Sequence, residues 1–136
     1  MFTRSLLLGI TAGLLSGIAC MVFAMVYKET QFVDFSVLIG PVNYIGACVF
    51  GCVLASIGFW ASVKVMPKYG EIVFNFLFTI LTFASILGPI GYTWPPEAAT
   101  NDEVSMAIDY FSVFAITLHF FPAIVWYTLK PVFIKR

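Results

Sequence analysis

The sequence predicts an all-α fold, a membrane-embedded up-down-up-down four-helix bundle that takes in the 136 residues as a single domain. Three observations predict it. Apolar residues make up 61% of the chain and charged residues 10%, against about 45–50% and about 25% in a soluble domain, so this chain lacks the polar surface to face water. Four runs contain no Lys, Arg, Asp or Glu: 5–27, 35–63, 72–96 and 110–129. Each reaches the roughly 20 apolar residues that cross a bilayer as a helix. The runs are unbroken, whereas barrel strands alternate over short segments. Backbone groups in hydrocarbon must pair within the chain, so helices follow. The net charge of +0 at pH 7 argues against a nucleic-acid-binding surface, and so apolar a chain is not disordered.

The first helix is expected near 5–27. A signal peptide with Arg4 as its basic start would be shorter than a run that stays apolar through Tyr27. Gly17 also stands where a lipoprotein cleavage site ahead of Cys20 would carry Leu. The second helix is placed near 41–63, with Pro41 in its first turn, where a missing N–H costs nothing. The third is placed near 72–92, ahead of Pro95 and Pro96. The fourth is placed near 106–129, with Thr100 and Glu103 spaced as a capping box before it. The 64–71 connection is short, which makes the second and third helices antiparallel neighbours.

Basic residues set the orientation. Arg4, Lys64, Lys68, Lys130, Lys135 and Arg136 fall on one side and only Lys28 on the other. Positive-inside puts both termini and the 64–71 loop in the cytoplasm of a cell-membrane protein, with loops 28–40 and 93–105 outside. Tyr27, Tyr44, Tyr92, Trp94 and Tyr110 suit the outer interface, and Trp60, Tyr69, Trp126 and Tyr127 the inner one.

Helices in lipid associate through close backbone approach, which small residues at every fourth position permit. The first helix carries Gly9, Gly13 and Gly17, the second Ala47, Gly51 and Ala55, and these form the candidate packing seam. Within one chain they join the two helices; between chains they would join a homodimer or a partner membrane protein. The three cysteines, Cys20, Cys48 and Cys52, all fall in spans and read as small core hydrophobes.

His119 is the single histidine and falls near the middle of the fourth helix. Ionisable groups at that depth mark a functional site or an interior partner. Ser105, Ser112, His119 and Trp126 recur every seventh residue, one stripe aimed into the bundle. By depth, Thr82 and Ser85 on the third helix lie opposite. Pro89 and Pro122 free the carbonyls of Ser85 and Leu118, acceptors to which a neutral His119 can donate, and such a bond to another helix would bridge the two. His119, Ser112, Ser85 and Thr82 are the candidate buried polar site. One histidine is too few for a bis-histidine haem, and no metal-ligand set, phosphate loop or nucleophile–base pair is written in the sequence. No catalytic residue, cofactor or metal is expected.

Ser85-Ile86-Leu87-Gly88-Pro89 in the third helix, with Leu118-His119 and Pro122-Ala123 in the fourth, resembles a family of uncharacterised four-helix bacterial integral membrane proteins. The resemblance covers the C-terminal half and implies a four-span fold without an assigned activity. The chain does not look like the small multidrug exporters, whose first helix embeds a Glu. The function expected is therefore non-enzymatic: helix packing with itself or a partner in the lipid bilayer. The alternative is a small transporter or permease with a polar site around His119.

Overall fold

Runs 5–27 and 110–129 fold as helices that extend beyond both ends, run 35–63 becomes regular α-helix only from Pro41, and run 72–96 is helical to Gly91 with a break. The structure, a computed structural model, describes residues 1–134; Lys135 and Arg136, counted above among the basic residues, lie outside the described residues. The helices are α1 (Phe2–Gln31), α2 (Pro41–Val65), α3 (Gly70–Ser85), α4 (Leu87–Gly91) and α5 (Asp102–Phe133), with short 3-10 turns at Phe35–Val37 and Pro96–Ala98. Four stretches among the described residues, Phe2–Gln31, Pro41–Val65, Gly70–Gly91 and Asp102–Phe133, are long and apolar enough to cross a membrane. They make an all-α four-helix bundle.

Helix boundaries follow local chemistry. Pro41 opens α2. The start of α5 departs from the Thr100–Glu103 expectation: Asn101 is the cap, its side-chain oxygen accepting from the Val104 N–H at 2.9 Å. Asn shares the short acceptor side chain that suits this position, and here it stands one residue closer to the helix. The third span is interrupted. Pro89 has no N–H to return to the Ser85 carbonyl, and its ring crowds that carbonyl. Regular helix stops at Ser85, and Ile86 donates instead to Phe83 at 3.3 Å before α4 resumes.

α1 is the centre of the packing, with its most extensive contact along α2 and its second along α5. The glycines explain how close α1 and α2 come. A Cβ on Gly9 would sit 2.8 Å from the Cys52 carbonyl oxygen, and one on Gly17 3.0 Å from Ile45. A Cβ on Gly13 would collide with the Val49 backbone. At one end, which carries Met1 and Ile134, Leu8, Phe59, Phe74 and Trp126 form a buried cluster. At the other, Val33 and Phe35 from the α1–α2 connection fold back between α1 and α5, where the Phe35 and Phe114 rings stack at 4.0 Å. This connection reads as an outer loop from sequence, yet two of its side chains are core. It leaves α1 through Phe32 in the left-handed region (φ 58°) and is pinned by Asp34. The Lys28 ammonium, 2.6 Å from Asp34, together with the Ser36 side chain and N–H, holds that carboxyl down at about 2.

α3 is the least enclosed span. A polar patch ties it to α5. The Lys130 ammonium lies 2.7 Å from Glu71 and donates to Asn75 Oδ1 at 3.2 Å, and Tyr127 donates to the Asn75 carbonyl at 2.9 Å. The same ammonium sits over the rings of Phe59 and Trp126, at 4.9 and 5.8 Å, so a nearly buried lysine is compensated by charge and by aromatic faces together.

Candidate functional site

α2 and α3 part company beyond their short connection, and α5 closes only one side of the gap. The result is a groove of about 990 Å³ between α2, α3–α4 and α5. Ala47, Gly51, Ala55 and Gly58 line it from α2, and Ala115 and Ala123 from α5. Small residues on both walls keep it open. Leu54, Leu77 and Leu81 also line it and are half or more exposed. All three lie mid-span, so the groove opens sideways at the level of the hydrocarbon. No charged residue is among its lining residues.

Three of the four candidate polar residues, His119, Thr82 and Ser85, line this groove. Ser112 stands behind it and donates to the Pro89 carbonyl at 3.1 Å, which joins α5 to α4. Proline therefore supplies an acceptor at the break, but it is the Pro89 carbonyl itself that is used. Thr82 and Ser85 each donate within their own helix, to the Phe78 carbonyl at 2.8 Å and the Thr82 carbonyl at 2.7 Å.

His119 departs from the interhelical bond expected of it. Its Nδ1 lies 2.6 Å from the Ala115 carbonyl, one turn back in α5. A carbonyl oxygen only accepts, so Nδ1 carries the proton. In the neutral ring Nε2 is then a lone-pair acceptor, and it has no hydrogen-bond partner among the described residues. Helix geometry explains the difference: the ring already reaches its own i−4 carbonyl, and no acceptor freed on a neighbouring helix comes closer.

The seam residues divide. Gly9, Gly13 and Gly17 face α2 as described above, and Ala55 is buried. Ala47 and Gly51 are exposed on the groove, and a Cβ on Gly51 would meet nothing within 4 Å. At about 100° per residue, the arc of α2 that meets α1 is centred on Ile45, Val49, Cys52 and Ser56. Positions 47 and 51 are turned off it, towards the groove.

Some interactions have no clear signature in sequence. Cys20 and Cys48 bring their sulfurs to 3.7 Å across α1 and α2. Cys52 lies 3.7 Å from the Pro122 carbonyl, an acceptor in a helix where the Pro122 ring interrupts the ladder. Trp126, at the end of the seven-residue stripe, donates from Nε1 to Ser56 Oγ at 2.8 Å in a fully buried contact. The stripe itself was a usable signal for Trp126; the choice of Ser56 as its partner depends on the rotation of α2 about its axis. Among known proteins, no family model, no curated protein and no solved structure matches the chain.

Proposed function

We propose that this chain is a multi-pass protein of the cytoplasmic membrane, with both termini inside, that acts by binding a small apolar molecule within the bilayer. The observation that carries this reading is the sideways-open groove with His119 on its wall. Its volume of about 990 Å³ falls at the top of the range of small-molecule sites, about 300–1,000 Å³. A groove of that volume with a polar group on an otherwise apolar wall has the make-up of a small-molecule site. This favours the permease-type expectation around His119 over helix packing as the principal activity. The orientation rests on the basic residues of the N-terminus and the α2–α3 link, together with Lys130.

Self-association has its own support in the exposed apolar face of α3, with Ile72, Phe76 and Phe83 all more than half exposed. The two readings separate in one preparation. The full chain reconstituted in nanodiscs and weighed by native mass spectrometry should retain a small organic molecule near one per chain. Gly51→Phe, which places a ring in open groove space, should strip it to background. A Gly51→Phe protein that keeps its bound molecule, or a wild-type particle that holds none and is dimeric, would overturn the binding reading.

A further inference from the structure

We infer that the groove selects a neutral, lipid-soluble molecule bearing a hydroxyl, an alcohol or a phenol, and that this hydroxyl donates to Nε2 of His119. The inference rests on the groove being a small-molecule site. What it adds is the chemistry of the ligand, which follows from the protons on the groove wall.

On the α3 and α5 walls every side-chain proton already has an acceptor. Thr82 gives its proton to the Phe78 carbonyl, Ser85 to the Thr82 carbonyl, and His119 that of Nδ1 to the Ala115 carbonyl. Cys52 points its thiol to the Pro122 carbonyl. What these groups still offer a guest is lone pairs, and the strongest acceptor among them is the unpartnered Nε2 of His119. Beside His119 these walls favour a donor over a group that can only accept, because two facing acceptors leave both unpaired in a medium without water.

Charge is excluded on the same wall. No Asp, Glu, Lys or Arg lines the groove, so an ammonium or carboxylate head would enter without a counter-ion in a medium that penalises unpaired charge. The mouth at Leu54, Leu77 and Leu81 opens on hydrocarbon, so the guest arrives from the lipid. There a hydroxyl at mid-depth has no partner, and in the groove it has one. This difference is what draws the molecule out of the bilayer.

The test uses the full chain in nanodiscs and three probes of one length: hexadecanol with a mid-chain diazirine, its methyl ether, and the matching primary amine. Photolabelled peptides are read by mass spectrometry, with the exposed face of α1 at Leu14 and Ile18 as the lipid-facing control. The alcohol should label the groove segments of α2 and α3 about 3- to 30-fold more than the ether, the span set by one hydrogen bond in a membrane interior. The amine should label no better than the ether. In His119→Phe the alcohol-to-ether ratio should fall to about 1 while groove labelling persists, and in Gly51→Phe both should drop to the control level. Equal labelling by alcohol and ether in the wild-type chain, or amine labelling as strong as the alcohol, would overturn the hydroxyl inference and leave the groove as a site. Groove labelling by all three probes no higher than at Leu14 and Ile18 would overturn the site, and the proposed function with it.

Discussion

At the scale of single residues, some polar atoms inside the bundle are answered and others are not. Trp126 and Ser56 complete each other in the dry core. Ser5 is buried to the same degree, but its Oγ has no hydrogen-bond partner among the described residues. A buried hydroxyl without a partner costs about 1–3 kcal/mol. Ser5→Ala should therefore stabilise the protein by about 1 kcal/mol in thermal unfolding in detergent, and Trp126→Phe, which orphans Ser56, should destabilise it by about 1–2 kcal/mol. Asp34 carries a pH dependence. Its carboxyl is held at about 2 in the folded loop, first by Lys28 and then by Ser36, below the ordinary carboxylate value. Its contribution is therefore present above that ordinary value and is lost as pH falls through about 2. An NMR titration of the Asp34 carboxyl carbon should give that midpoint, and Lys28→Met should move it upward.

At the scale of helices, two faces of α2 predict opposite responses to the same change. Gly13 on α1 meets the Val49 backbone, which cannot yield as a side-chain tip would, whereas Gly51 on α2 meets open space. Gly13→Leu should cost at least about 2 kcal/mol and separate α1 from α2. Gly51→Leu should leave unfolding within about 0.5 kcal/mol of wild type. The contrast also marks what the sequence could tell. Span number and position were legible because hydrocarbon demands long charge-free runs, and those of α1 and α2 needed only a few residues added at their ends. The break after Ser85 was foreshadowed by Pro89, though its place depends on which carbonyl the ring displaces. Small residues at every fourth position identified α1's contact row but not α2's, because α2 carries two such rows, Cys48-Cys52-Ser56 and Ala47-Gly51-Ala55. Only the rotation of the helix decides which one meets α1. For His119, depth was legible. Its partner was not, since a hydrogen bond inside its own turn leaves no pattern at longer spacing.

At the scale of the whole molecule, α3–α4 is the span least enclosed by the others. Its polar attachments are the Lys130–Glu71–Asn75 patch with Tyr127 and the Ser112–Pro89 bond, and Phe74 in the core cluster and Phe83 against Phe120 add apolar ones. Lys130→Met should loosen the α3 end next to the α2 link, read as faster amide exchange over residues 71–79 with α1 unchanged. The connection that carries Val33 and Phe35 has a different consequence, one of timing. Its partners Ala107 and Phe114 lie about seventy to eighty residues later in the chain. During synthesis α1 and α2 can zip along their glycine row as soon as both have entered the bilayer, because every contact they need is already present. Phe35 must then wait, unstacked, until α5 arrives. A helix made well after α1 and α2 is thus the one that seals the far end, and a ribosome that stops before Phe114 leaves behind a finished hairpin with an unlatched lid.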